Sequence, residues 1–261
     1  VTDILQKIMN YKKGELEHYK RLVPFAELRD RVRDLPPTHC FAKALKNPTA
    51  PYAVIAEMKK KSPSKGVLRE NYDPAAIAVD YESHGATALS VLTDEHFFAG
   101  HLDHLRAVRP RVKLPLLRKD FLWDPYQVYA AREAGADAVL LIVSVLEKSR
   151  LEDLHALAVE LAMDVLVEIH DMTECDLACA GMFPIIGVNN RDLKTFEVDL
   201  KTSERLFARL GRDTLKISES GLDSRESLEK LKQAGAHGFL IGEALMKAAK
   251  PGEALEKLIY G

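Results

Sequence analysis

At 261 residues the chain has the length of one large domain and can bury a substantial core. Hydrophobic residues make up 47% and charged residues 29%, a balance that excludes a disordered or fibrous chain. A formal net charge of −2 gives no overall field for holding nucleic acid or an anionic membrane, so any anion must be recognised locally.

The first fifty residues predict helix. Thr2 is placed to cap a helix whose Ile4, Leu5, Ile8 and Met9 share one face, with Lys12-Lys13 inside the same amphipathic pattern. A second helical stretch begins at Pro24 and stops before Pro36-Pro37. Because this extension precedes the first strand and carries an apolar face, it is expected to cover the substrate mouth of the fold, not its floor.

From Tyr52 the rhythm changes. Short, mostly continuous apolar runs at 52–58, 88–93, 114–118, 138–143, 165–169, 185–188, 215–218 and 238–241 predict parallel strands covered on both faces. Helical patterns at 74–84, 102–108, 125–134, 148–161, 172–180, 201–208, 224–234 and 252–260 alternate with them. His84-Gly85-Ala86, Ala134-Gly135-Ala136 and Ala234-Gly235-Ala236 each put glycine just past a helix, where a left-handed cap is needed. The segments from Ala134 and Ala234 echo one another 100 residues apart, a spacing of four strand–helix units. The pattern therefore predicts a single α/β domain over 1–261, a (β/α)₈ TIM barrel with residues 1–50 as an N-terminal helical extension.

Cys40, Cys175 and Cys179 form no CxxC pair, so a disulfide framework is not expected and a reducing cytoplasm fits the chain. Cys175 and Cys179 read as small buried hydrophobes on a helix. No apolar run is long enough to span a bilayer, and the N-terminus shows no signal-peptide pattern.

In barrels of this kind catalytic groups project from the C-terminal ends of strands. Glu57 and Lys59 are two apart on the first strand, so both side chains can enter one mouth. The third strand ends at Arg118-Lys119-Asp120-Phe121, the fifth at Glu168, the sixth at Asn189-Asn190-Arg191 and the seventh at Glu219-Ser220-Gly221. Any one of these is ordinary where a strand leaves the core. Charges at several successive strand ends would shift one another's pKa values, as acid–base catalysis requires. Ser220-Gly221 and Gly242 follow the last two strands, where backbone N–H groups can hold a phosphate.

These blocks carry a resemblance. Ala56-Glu57-Met58-Lys59-Lys60-Lys61-Ser62-Pro63-Ser64-Lys65-Gly66 resembles the signature of the indole-3-glycerol phosphate synthases. Ser90–Glu95, Arg118–Phe121, Gly187–Leu193 and Ser218–Gly221 resemble four further blocks of that family, in order, and the match runs from Leu5 to the C-terminus. The resemblance implies a substrate, 1-(2-carboxyphenylamino)-1-deoxyribulose 5-phosphate, closed and decarboxylated to indole-3-glycerol phosphate, carbon dioxide and water. It implies no metal and no organic cofactor. It also implies a cytoplasmic monomer with at most weak association with other tryptophan-pathway enzymes, and no nucleic-acid or membrane partner.

On the same resemblance Lys119 is the general acid at the ketone oxygen, and Glu168 and Glu57 assist proton removal and dehydration. Lys59 either neutralises the substrate carboxylate or serves as a second acid. Asn189 and Ser220 complete the expected catalytic set, and Asn189 and Arg191 would orient the carboxylate-bearing ring. Phe98, Phe121 and Leu193 would wall that ring, and Lys61, Ser62 and Glu219 would add substrate contacts. Ser220, Gly221, Gly242 and Glu243 would lie at the phosphate. Some relatives have serine where this chain has Glu243, whose carboxylate is expected to turn away from a phosphate.

Three other readings compete. A Schiff-base aldolase could use Lys119 or Lys216, but gives no place to the Glu57–Lys59 and Asn189–Arg191 pairs. A nucleic-acid binder could use Lys59-Lys60-Lys61 and Lys65, but lacks basic charge and interleaved aromatics. His96, His101 and His104 could offer imidazoles to a metal, though solvated loop histidines are the expected reading.

Overall fold

The computed structural model describes residues 4–261. Eight parallel strands close into one barrel: β1 (Val54–Met58), β2 (Ala88–Leu92), β3 (Leu116–Lys119), β4 (Ala138–Ile142), β5 (Asp164–Ile169), β6 (Ile185–Asn189), β7 (Leu215–Glu219) and β8 (Gly238–Ile241). Neighbours in the chain are neighbours in the barrel, and β1 closes it against β8, with Ile55 paired to Ala88 on one side and Leu240 on the other. The helices before the barrel are α1 (Ile4–Leu22), α2 (Phe25–Val32) and α3 (Phe41–Lys46). Around it run α4 (Pro74–Ser83), α5 (Glu95–Phe98), α6 (Leu102–Val108), α7 (Pro125–Glu133), α8 (Lys148–Glu160) and α9 (Met172–Gly181). The series ends with α10 (Lys201–Phe207), α11 (Arg225–Gln233), α12 (Glu243–Lys247) and α13 (Pro251–Tyr260).

Alternation along each strand sorts side chains into two cores. Ala53, Ile55, Leu117, Leu140, Leu166, Ile217 and Leu240 fill the barrel interior, whereas Val54, Val91, Val139, Val167, Val188 and Phe239 pack outward under the helices. This double burial makes the strands read as continuous apolar runs. Above the interior layers the inward positions become Glu57, Lys119, Glu168, Asn189 and Glu219, so the polar groups stand on top of a packed apolar plug. Gly135 and Gly235 take φ of 89° and 103° past α7 and α11, the left-handed caps expected of them.

The extension does more than the sequence predicts. Ile4, Leu5 and Ile8 of α1 line the mouth, in keeping with the expected cover. But α3 plugs the opposite end, with fully buried Phe41 and Leu45 packed on Ala53, Ala88 and Ala138. The expectation that the extension leaves the floor alone is therefore corrected. Small residues at the starts of three strands leave a hollow that two large apolar side chains from outside the barrel must fill. The backbone N–H of Ala42 donates to Asp164 at the start of β5, which fixes α3 beneath the floor. Thr2, assigned as a cap, lies outside the described residues. Three short features interrupt segments read as loop: a two-residue ladder pairing Lys61–Ser62 with Gly66–Val67, and the short helices α5 and α12.

Candidate active site

The mouth opens on a cavity of about 520 Å³. Glu57, Lys59, Ser62, Phe98, Lys119, Phe121, Glu168, Asn189, Arg191 and Leu193 all line it, as do Glu219, Ser220, Gly221, Gly242 and Glu243. Lys61 does not line it; the strand alternation that turns Ser62 inward turns its neighbour out, into the short ladder with Val67.

At the centre stands Lys119. Its Nζ lies 2.8 Å from Glu168 Oε2 and 3.5 Å from Glu219 Oε2. Burial opposes the ammonium charge, but Glu168, Glu219 and Glu57 outweigh it and hold the lysine protonated well above its ordinary range. The flanking residues point the other way, as alternation requires. Arg118 pairs with Asp120 at 2.8 Å and donates to Thr93 and to the carbonyl of Gln127, behind the barrel wall.

The carboxylates are pushed apart in pKa. Burial raises Glu168, but Lys119 and His170 more than reverse this and keep it ionised well below the usual carboxylate range. Glu219 is raised to about 8: burial and the charges of Glu168 and Glu57 outweigh Lys119, and its Oε1 has no hydrogen-bond partner among the described residues. One anion and one protonated acid therefore share the same ammonium at neutral pH, the separation that assigns base and acid in such sites. Lys59 Nζ reaches Glu57 Oε1 at 2.5 Å across the β1 end. Asn189 donates to Glu168 at 3.2 Å and accepts from the Arg191 N–H at 3.0 Å.

Glycines make room for these acids. A Cβ on Gly187 would lie 2.1 Å from Glu219 Oε1, and one on Gly242 would lie 2.4 Å from Glu57 Oε1. Gly242 was singled out as a phosphate contact; its lack of a side chain first serves Glu57. At the rim, Ser220 takes a left-handed φ of 67°, a conformation that costs a non-glycine residue about 1 kcal/mol or more. Buried Asn190 holds it there, donating to the carbonyls of Glu219 and Ser220 while accepting from Ser203. No described acceptor takes the N–H of Ser220 or Gly221. Glu243 Oε2 meets Arg191 at 3.1 Å and Oε1 meets Lys247 at 2.6 Å. These two cations draw its side chain along the rim and neutralise it.

Sequence reasoning passed over several groups here. Lys65 and Lys247 line the rim. Asn190 lies in the motif at the end of the sixth strand, and nothing in the sequence assigns it a role. His170 stands one residue past the end of β5 and two beyond Glu168, so continuing the alternation places it on the same side. Lys216, the aldolase candidate, donates instead to the carbonyl of Phe207 outside the barrel. Among the described residues no group of three or more histidine, cysteine or acidic side chains is arranged to hold a metal ion.

A closed (β/α)₈ barrel with a protonated lysine, an ionised and a protonated carboxyl group and a cationic rim at one mouth defines an acid–base enzyme of the TIM-barrel class. The family model for indole-3-glycerol phosphate synthase matches residues 5–258. A protein of Acidithiobacillus ferrooxidans (strain ATCC 53993 / BNL-5-31) named indole-3-glycerol phosphate synthase is 46% identical over 262 residues, covering 100% of both chains. The chain belongs to the indole-3-glycerol phosphate synthase family, carboxy-lyases of tryptophan biosynthesis. Among solved structures, N-acetylmannosamine-6-phosphate 2-epimerase from Clostridium perfringens matches with a TM-score of 0.62 at 14% identity, over 81% of this chain and 93% of its own. Thiamine phosphate pyrophosphorylase from Pyrococcus furiosus matches with a TM-score of 0.59 at 14% identity, over 80% and 94%. At that identity these two report the barrel alone.

Proposed function

We propose that this mouth closes, decarboxylates and dehydrates 1-(2-carboxyphenylamino)-1-deoxyribulose 5-phosphate with Lys119 as the general acid. The observation that carries the reading is the protonated Lys119 ammonium, held 2.8 Å from an ionised Glu168 inside a largely buried mouth. The ring carbon bearing the carboxylate attacks the ketone carbon, the carbonyl π pair moves to oxygen, and Lys119 protonates that oxygen. A lysine held this firmly protonated is no obstacle, because a forming alkoxide is a still stronger base. It is an obstacle to the aldolase reading, since an amine must be neutral to attack a carbonyl.

Loss of carbon dioxide returns the electron pair to the ring iminium, with no external electron sink. Dehydration then needs one proton delivered to the departing hydroxyl and one removed from the substrate. Glu219, which keeps its proton to about pH 8, suits the first task and hydrogen bonding to a substrate hydroxyl. Ionised Glu168 suits the second, with Glu57 beside it. Lys59 and Arg191 face the substrate carboxylate. Phe98 and Phe121, with ring centroids 6.2 Å apart, wall the aromatic ring together with Leu193. The N–H groups of Ser220, Gly221, Gly242 and Glu243, backed by Lys247, hold the phosphate.

The chain acts as one domain and, on this reading, as a cytoplasmic monomer needing no metal or organic cofactor. Its three cysteines are free, as a reducing compartment favours, and no described helix is long and apolar enough to cross a membrane. Incubation with the carboxyphenylamino substrate tests the reading: indole fluorescence should appear without added cofactor, in the presence of a chelator. An enzyme that leaves the substrate unchanged would refute it.

A further inference from the structure

Glu168 has two oxygens, and Lys119 accounts for one. The other, Oε1, has His170 Nε2 3.2 Å away, an ion-pair distance without hydrogen-bond alignment among the described residues. The far edge of the imidazole is held in turn: Nδ1 is 3.1 Å from Glu174 Oε2, and the backbone N–H of His170 donates to that same oxygen at 2.8 Å. Glu174 sits in the first turn of α9, whose cap is Asp171. Charges of alternating sign thus run through four side chains, Lys119, Glu168, His170 and Glu174, from the barrel axis to a helix on its outside. His170 also helps to hold Asp192, in the loop after β6, below its ordinary carboxylate range.

We propose that His170 is a positioning residue of the ring-closing reaction, acting through Glu168: clamped by Glu174, its imidazolium keeps Glu168 ionised and aimed into the mouth. The inference rests on the reading of Glu168 as the proton acceptor. The need for a second cation follows from crowding. Lys59 is taken by Glu57, whereas Glu168 and Glu219 share the one ammonium of Lys119, which leaves excess negative charge around it. Protonating Glu219 relieves part of it; a cation behind Glu168 decides which of the two acids keeps the proton. Burial disfavours the imidazolium, but Glu168 and Glu174 raise His170 to about 10, so the clamp stays charged at neutral pH.

The experiment compares pH profiles of wild type, His170→Asn and Glu174→Gln on the carboxyphenylamino substrate. Removing the cation should raise the pKa of Glu168, so in His170→Asn the acid limb of kcat should move to higher pH. Its kcat at neutral pH should fall about tenfold or more, with KM nearly unchanged. Glu174→Gln keeps the imidazole but removes its outer anion, so His170 should lose its proton at lower pH and the alkaline limb of kcat should move down. A purely structural role predicts parallel loss at every pH. Unshifted limbs in both variants would overturn the inference, and if His170→Asn fails to fold the Glu174→Gln profile decides alone. An inactive wild type would instead refute the underlying reading of the site.

Discussion

At the scale of single residues, the site is an arrangement for keeping protons where the solution would not. Glu219 holds its proton up to about pH 8, against an ordinary 4.5, with burial as the leading cause. Between those values the folded chain binds a proton that the unfolded chain has released, so this group lowers stability as pH rises from 4.5 to 8. Glu219→Gln removes the slope. The variant should match wild type near pH 4.5 and gain on it steadily toward pH 8, by about 2–4 °C in Tm for each kcal/mol relieved, while losing activity. Melting curves across that range check it; a constant difference in Tm would mean that Glu219 is ionised throughout. Gly242 makes a second case. A Cβ there would meet the Glu57 carboxylate at 2.4 Å and its Cβ at 3.0 Å, so Gly242→Ala must displace a buried acid. Kinetics should show kcat falling on the order of 10–100-fold with KM little changed. A rise in KM alone would make the glycine a phosphate contact and nothing more.

At the scale of elements, α1 shows how a lid can be both pinned and polar. Its buried stripe is Ile8, Lys12 and Leu16, with a lysine in the middle of an apolar face. Lys12 is 1% exposed, and its Nζ lies 2.9 Å from Asp120 and 3.6 Å from Asp94. Asp120 immediately follows Lys119, so the charge that anchors the lid also anchors the strand end carrying the acid. Lys12→Met leaves both aspartates without this partner and should destabilise the fold by about 3–5 kcal/mol, the usual cost of breaking a buried pair from one side. Urea unfolding measures it, and a loss below about 1 kcal/mol would mean that Arg118 alone satisfies Asp120. The helical pattern of α1 and its apolar face were legible in the sequence. The role of Lys12 was not, because a lysine on an amphipathic helix is ordinarily solvated and its two aspartate partners lie over eighty residues away in the chain.

At the scale of the molecule, the barrel was legible because parallel strands buried on both faces leave continuous apolar runs, and because glycine caps close three of the helices just before a strand. The strand ends were legible as well: Glu57, Lys119, Glu168, Asn189 and Glu219 stand where a barrel puts its chemistry. Spacing along one strand fixes a side chain's direction, so the outward turn of Arg118 followed from alternation. What stayed hidden depended on contacts between distant segments. Nothing local in Phe41 and Leu45 marks them as the floor's plug, and nothing local in Glu243 shows that Arg191 and Lys247 will neutralise it.

In the proposed mechanism the Lys119 ammonium gives a proton and never forms a bond to carbon. Lys119→Met should lower kcat about 10²–10⁴-fold, and Lys119→Arg should not restore it, because the larger planar guanidinium cannot set a donor where the compact Nζ stands between Glu168 and Glu219. Those losses would also follow from an imine mechanism, so the deciding measurement is mass spectrometry of wild type incubated with substrate and borohydride. The enzyme's mass should stay unchanged; a substrate-sized increase mapped to Lys119 would overturn its role as a general acid.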